Sequence, residues 1–167
     1  VGESGSGKSA TARALVGLSS PTALVEADVM RLKGQDLLGL PDRDWRAIRG
    51  RHIGFVLQDA LVSLDPLKRI GSEVDETLRE HRLVPRAGIP AAVEKLLESV
   101  GTPDPKLRMR QYAHQLSGGL RQRALIAAAI SGAPDIVIAD EPTTALDVIV
   151  QVQILDLLAE MKAAGKA

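Results

Sequence analysis

The chain has 167 residues, of which 45% are hydrophobic and 25% are charged, and this composition is typical of a globular protein with one sizeable core. Twenty-one basic residues balance twenty-one acidic residues, so charge predicts neither a nucleic-acid partner nor an anionic lipid surface. Cysteine is absent, which excludes disulfides and cysteine-based metal or redox chemistry. The sequence also lacks an apolar run of the roughly 18 residues that a membrane span requires.

The first predicted element is a glycine-containing loop that opens a helix over residues 8–16. Glycines allow successive backbone N–H groups to point at one anion, and the positive end of the helix dipole faces the same charge. Lys8 can reach the β- and γ-phosphates of a nucleotide, and Ser9 can offer its hydroxyl to Mg²⁺. A flexible Gly/Ser turn is the alternative. The residues predicted to bind ATP as its magnesium salt are Gly2, Glu3, Ser4, Gly5, Ser6, Gly7, Lys8 and Ser9.

The next segments predict short strands and then a helical region. Residues 22–25 have strand-like composition, residues 34–41 favour a loop with a helical turn, and the apolar run 53–57 predicts a strand that ends at Gln58. From residue 63 to 116 the pattern becomes helical, with helices expected over 70–81 and 90–100. Proline and glycine residues separate these helices.

The α/β pattern resumes after this helical insertion. Residues 120–130 predict a helix, and the apolar run 136–139 resembles a parallel strand buried on both faces. An amphipathic helix is expected over 148–164, with Val152, Leu155 and Leu158 among its candidates for the core. The predicted core therefore comprises residues 1–62 and 117–167, interrupted by a helical subdomain at 63–116.

Two adjacent carboxylates, Asp140 and Glu141, follow the predicted strand, where open α/β sheets gather their ligand-binding groups. The first carboxylate can orient Mg²⁺, and the second can polarise a water that attacks the γ-phosphate. A helix-capping Asp beside a solvated Glu is the alternative. The glycine-containing phosphate-binding loop (P-loop) at residues 2–9, and Gln58 at another strand end, favour the catalytic interpretation.

A second phosphate-binding candidate opens the 120–130 helix. Ser117 and the backbone N–H groups of Gly118 and Gly119 lie at its predicted N-terminus, where an anion is favoured. Since one nucleotide does not need two such loops from one subunit, we predict a head-to-tail pair in which this loop meets the partner's nucleotide. Read alone, the loop is equally well explained by an N-capping serine.

The ordered set of motifs resembles the ATPase domain of ABC transporters. It comprises the P-loop, Gln58, Leu-Ser-Gly-Gly at 116–119, the 136–142 segment and Ala145-Leu146-Asp147. The resemblance implies an α/β P-loop NTPase (RecA-like) core, here incomplete, with an inserted helical subdomain. It implies catalytic roles for Lys8, Gln58 and Glu141, metal binding by Ser9, Gln58 and Asp140, and nucleotide contacts from Ser117, Gly118, Gly119 and Gln122.

A closer resemblance is to the ATP-binding subunits of dipeptide and oligopeptide (peptide/nickel) importers, carried by residues 34–38, 49–59, 63–66, 112–115 and 142–148. It implies a peripheral protein on the cytoplasmic face of the membrane. The implied partners are a second ATP-binding subunit, identical or paralogous, membrane permease subunits and, indirectly, an extracytoplasmic solute-binding protein, with no nucleic acid. The alternatives are a soluble ABC-type ATPase acting on nucleic acid or the ribosome, or a nucleotide-binding fragment that does not hydrolyse ATP.

Leu120 departs from the family's signature, which has Gln or Met there, and we expect its side chain to pack in the interior. The chain also opens inside its first motif. We therefore expect a fragment truncated at both ends, poorly stable and weakly active on its own, because the strand at 136–139 would lack a neighbour.

Overall fold

A computed structural model describes residues 6–58, 60–143, 146 and 148–163 of the chain. The chain divides into two compact units, residues 1–49 and residues 50–167. The division expected from the sequence, a core of residues 1–62 and 117–167 around a helical subdomain at 63–116, stays a prediction.

The first unit contains two helices and a small hairpin. Helix α1 confirms the helix predicted over 8–16, and Val16 caps its C-terminus. The hairpin strands pair antiparallel, with Arg31 opposite Asp36, and only the second of them lies within the segment 34–41 that was predicted as a loop with a helical turn. The elements are α1 (Lys8–Leu15), β1 (Arg31–Leu32), β2 (Gln35–Asp36) and α2 (Asp42–Ile48).

The prediction of a strand over residues 22–25 is wrong, because these residues form a turn followed by irregular chain. Leu24 is 83% exposed. A strand needs a neighbouring ladder to satisfy its backbone groups, and in this unit β1 and β2 pair with each other.

Helix α2 is fixed to the end of α1 through Arg49. Its guanidinium donates to the carbonyls of Val16 and Gly17 and to the Asp42 carboxylate. Arg49, and after it Arg46, hold the pKa of Asp42 below its usual value. The Trp45 ring lies against Gly17, where an added Cβ would come within 2.3 Å of it, so only glycine fits there.

The second unit contains two strands and six helices among its described residues, with short 3-10 turns at Arg86–Gly88 and Ala113–Gln115. The helices predicted over 70–81, 90–100 and 120–130 are confirmed, each within two residues at either end. Of the helices that the structure describes, none is long and apolar enough to cross a membrane. The elements are β3 (Ile53–Val56), α3 (Ala60–Ser63), α4 (Ile70–Glu80), α5 (Ile89–Ser99), α6 (Pro105–Arg108), α7 (Gly118–Ile130), β4 (Ile136–Ala139) and α8 (Val148–Ala163).

Strands β3 and β4 form a parallel pair, with Ile53 opposite Ile136 and Val56 opposite Ala139. Parallel strands need a long crossover, and the helices between residues 60 and 130 lie within it. Strand β4 was predicted to be buried on both faces, and this prediction is wrong, since Ile136 is 43% exposed. Among the described strands β4 pairs only with β3, so its other edge lacks the cover that a central strand receives.

Helix α7 lies at the centre of the second unit and packs against α3, α4, α5 and β3. Ile126 on α7, Val74 on α4 and Leu97 on α5 are fully buried. Complete burial of such a side chain contributes about 1.5–3 kcal/mol. Leu120 packs against this core as expected.

The core-facing side of α8 differs from the one predicted. Val152 and Leu155 are more than half exposed, whereas Ile154 is fully buried and Leu158 is partly buried. The buried side follows the helical spacing of residues 150, 154, 157 and 158. Because apolar residues occur almost all round this helix, their spacing does not identify the buried face.

Candidate functional site

The phosphate-binding candidate in the first unit is the N-terminus of α1. Gly7 adopts the left-handed backbone conformation with φ 83°, and an added Cβ would meet no atom within 4 Å. Lys8 and Ser9 are half-buried in the first turn, which contains no acidic residue. A helix N-terminus carrying a lysine and a hydroxyl fits a phosphate and its magnesium ion. Ser6 is exposed beside Gly7. The predicted ligands Gly2, Glu3, Ser4 and Gly5 lie outside the described residues.

The second unit brings together Gln58 and Glu141. In the register of the parallel pair, Val56 lies opposite Ala139, so the residues two positions further along are also neighbours. The Gln58 Nε2 donates a hydrogen bond of 3.1 Å to the Glu141 Oε2. The sequence placed each of these residues at a strand end, and the structure shows them in contact.

Asp140 lies between the strand and Glu141 and is 5% exposed. Its backbone N–H donates to the Val56 carbonyl at 2.9 Å, which extends the ladder by one residue past the strand. Carboxylate and amide oxygens are the hard donors that Mg²⁺ prefers. Asp140 and Gln58 therefore fit the metal-binding roles expected of them.

Glu141 has φ +47°, a left-handed conformation that a residue with a side chain seldom adopts. The chain therefore bends at this carboxylate, two residues after the end of β4. Such conformations concentrate at functional sites, where the surrounding contacts hold them in place.

The serine and glycines predicted as a second phosphate loop open helix α7. Ser117 is its N-cap, and its Oγ accepts from the Leu120 N–H at 3.4 Å. Ser117 and Gly118 are exposed, so the loop is accessible to a ligand. The N-capping alternative is therefore observed, and the nucleotide contact stays a prediction.

Gln122, also predicted to contact nucleotide, is 3% exposed on the core side of α7. Its Nε2 finds no hydrogen-bond partner among the described residues. Its role at the nucleotide stays a prediction. Ala145 and Asp147, two of the three residues of the last motif, lie outside the described residues.

Gln151 is a residue of this region that sequence reasoning did not single out. It lies on the first turn of α8 and donates its amide N–H groups to the carbonyls of Thr143 and Leu146. The sequence signal that could have pointed to Gln151 was an amide side chain on a predicted helix, ten residues beyond Glu141. That signal does not reveal which carbonyls the amide reaches.

Comparison with known proteins identifies the family. The profile described as ABC transporter matches residues 1–144. The dipeptide transport ATP-binding protein DppD of Lactococcus lactis subsp. cremoris (strain MG1363) is 45% identical over 163 residues, which are 97% of this chain and 47% of that protein. The oligopeptide transport ATP-binding protein OppD of Mycobacterium bovis is 50% identical over 161 residues, 95% of this chain and 26% of that protein. The chain thus spans about half the length of the first relative and a quarter of the second.

A solved structure supports the same assignment. The post-hydrolysis dimer of the ATP-binding cassette MJ0796, bound to ADP and Pi, superimposes with a TM-score of 0.82 at 29% identity, and the match covers 98% of this chain and 68% of the cassette. The P-loop NTPase fold expected from the sequence is confirmed. The resemblance of its motifs to those of ABC transporter ATPases is confirmed as well. The chain therefore belongs to the ABC transporter family.

Proposed function

We propose that this chain binds and hydrolyses ATP as the motor subunit of a di- or oligopeptide importer. The observation that carries this proposal is the contact between Gln58 and Glu141 at the ends of parallel strands, beside buried Asp140. An amide and two carboxylates at that edge serve metal binding and water activation together.

Each residue has a role in this proposal. Lys8 and the N–H groups of the first turn of α1 hold the phosphates. Ser9 in the first unit, and Gln58 and Asp140 in the second, would each offer an oxygen ligand to Mg²⁺, and a bound Mg²⁺ would neutralise phosphate charge. Glu141 accepts a proton from the attacking water, and its hydrogen bond from Gln58 orients the carboxylate.

The proposed assembly is a dimer of ATP-binding subunits on the cytoplasmic face of the membrane, attached to permease subunits and served by a solute-binding protein. Support comes from the relatives named as dipeptide and oligopeptide transport proteins and from the dimeric cassette. The exposed loop at Ser117 and Gly118 is available to a partner's nucleotide. The balanced charge of the chain gives no support to a nucleic-acid partner.

The first test replaces Glu141 with Gln in the protein expressed from its complete reading frame. Because the amide cannot accept a proton, we expect ATP turnover, measured as phosphate release, to fall by roughly 10²–10⁴-fold. Binding of a fluorescent ATP analogue should persist, and ATP should shift the variant towards a dimer on size-exclusion chromatography.

The matched control is Glu160→Gln, the same change at an exposed position of α8. It should hydrolyse ATP like the wild type. Unimpaired hydrolysis by Glu141→Gln would remove Glu141 from the catalytic role. The solute is tested in cells that lack the wild-type gene and carry either variant, by measuring uptake of labelled di- and tripeptides. If both variants restored uptake equally, ATP-driven peptide import would be contradicted.

A further inference from the structure

Thr143 and Leu146 lie between strand β4 and helix α8, and a hydrogen bond joins these two described residues as the ends of a turn. The Leu146 N–H donates to the Thr143 carbonyl at 3.3 Å, which closes the turn. Thr143 follows Glu141 by two residues. The position of this turn is therefore tied to the position of the candidate catalytic carboxylate.

Gln151 fixes both ends of the turn. Its Nε2 lies 3.0 Å from the Leu146 carbonyl oxygen and 3.3 Å from the Thr143 carbonyl oxygen, and the residue is half-buried. A primary amide has two N–H donors, so one side chain can satisfy two carbonyls at once. Loss of these donors would remove the side-chain partner of the Leu146 carbonyl and leave the Thr143 carbonyl with the Leu146 N–H, which costs free energy.

The turn also lies against the first turn of α7. Leu146 Cδ2 would be 3.4 Å from a Cβ added to Gly118, and Val150 Cγ1 would be 2.8 Å from a Cβ added to Gly119. Leu146 and Val150 both pack against the core. Leu146 and Val150, which precede Gln151 in the chain, therefore lie against the Ser117–Gly119 loop.

We propose that Gln151 is a positioning residue that holds the Thr143 and Leu146 carbonyls, and through them keeps the Glu141 carboxylate and the Ser117–Gly119 loop in a fixed relation. The left-handed backbone at Glu141 requires support from its surroundings, and the restrained turn two residues later supplies it. This inference rests on the proposed ATPase function.

The test compares Gln151→Met with Gln151→Lys in the protein expressed from its complete reading frame. Methionine keeps the length of the side chain and removes both donors, whereas lysine retains donors. We expect Gln151→Met to lower kcat about tenfold, the rate equivalent of one hydrogen bond, with the KM for ATP and the melting temperature nearly unchanged. Gln151→Lys should recover most of the lost rate. A purely structural role would lower the melting temperature without a selective loss of kcat.

The matched control is Gln153→Met, two residues along the same helix. Gln153 is exposed and accepts from Arg123 at 2.9 Å. It should leave kcat unchanged. Equal losses of kcat for the two variants, or an unchanged kcat for Gln151→Met, would overturn the proposal.

Hydrogen exchange supplies a readout that does not depend on ATP turnover. In Gln151→Met the Leu146 amide should exchange about tenfold faster than in the wild type and in Gln153→Met. If the wild type hydrolyses no ATP, the proposed function fails, while unchanged exchange at Leu146 separately overturns the restraint by Gln151.

Discussion

At the scale of single residues, Glu141 combines a specific contact with an unfavourable backbone. The left-handed conformation costs a residue with a side chain about 1–2 kcal/mol. The hydrogen bond from Gln58 holds the Glu141 side chain, and the buried Asp140 precedes it in the chain. The backbone strain therefore lies at the residue whose carboxylate has to be oriented, Glu141.

Gly119 illustrates how a motif residue can serve packing. An added Cβ would lie 2.8 Å from Val150 Cγ1, closer than real Cβ atoms approach. We expect Gly119→Ala to lower the free energy of unfolding by about 1–3 kcal/mol through overpacking. Addition of Val150→Ala should recover most of that loss. Urea unfolding of the single and double variants measures both effects.

Gly118→Ala is the control for this prediction, because its Cβ would meet Leu146 at 3.4 Å, an ordinary contact. Its stability should stay close to that of the wild type. If Gly119→Ala proved equally harmless, close helix packing would not be the reason for glycine at this position.

At the scale of elements, helix α4 carries a carboxylate in an unfavourable setting. Burial raises the pKa of Glu73, while Lys68 opposes the shift more weakly. The Glu73 Oε1 is buried and finds no hydrogen-bond partner among the described residues. The ionised form of Glu73 therefore destabilises the fold at neutral pH.

Glu73→Gln should raise the melting temperature at pH 7. A raised pKa means that the folded protein binds the proton more tightly, so wild-type stability rises as pH falls through the raised pKa. The advantage of the variant should shrink over that range and disappear below the ordinary value of 4.5. Melting curves between pH 4 and pH 7 test this.

Glu76→Gln, on the same helix, is the matched control. Glu76 is exposed and pairs with Lys68 at 2.9 Å, so its replacement should give no stabilisation at pH 7. Equal stabilisation by both variants would point to the overall charge of the helix, not to burial of Glu73.

Elements whose signal is local could be predicted from the sequence. The helices of 70–80 and 118–130 and the strands of 53–56 and 136–139 follow from periodicity and flanking turn residues. The parallel register then brings Gln58 to Glu141, so this part of the candidate site was also within reach. The prediction of a strand over residues 22–25 failed because strand-like composition does not provide a partner strand.

Features that depend on tertiary contacts could not be predicted. The buried side of α8 is set by its neighbours, because its apolar residues point in several directions. The bonds of Gln151 depend on a turn whose geometry the sequence does not encode locally. The spacing of Val152 and Leu155 predicted that both face the core, but both are exposed.

At the scale of the whole molecule, a large apolar surface remains exposed on one helix. Val148 and Ile149 are more than 70% exposed, and Val152 and Leu155 are more than 50% exposed. Residues 148, 152 and 155 share one side of α8 by helical spacing. A formal net charge of zero adds no repulsion between copies of the chain.

We therefore expect the isolated 167-residue chain to self-associate at micromolar concentration, with this stripe as the contact. The double change Val152→Lys and Leu155→Lys should reduce association in analytical ultracentrifugation and leave the melting temperature nearly unchanged, since both side chains are already exposed. Ile154→Lys, one position away but fully buried, should instead unfold the second unit because it places a charge in the core. Association that persists in the double variant, with its fold intact by circular dichroism, would show that another surface drives it.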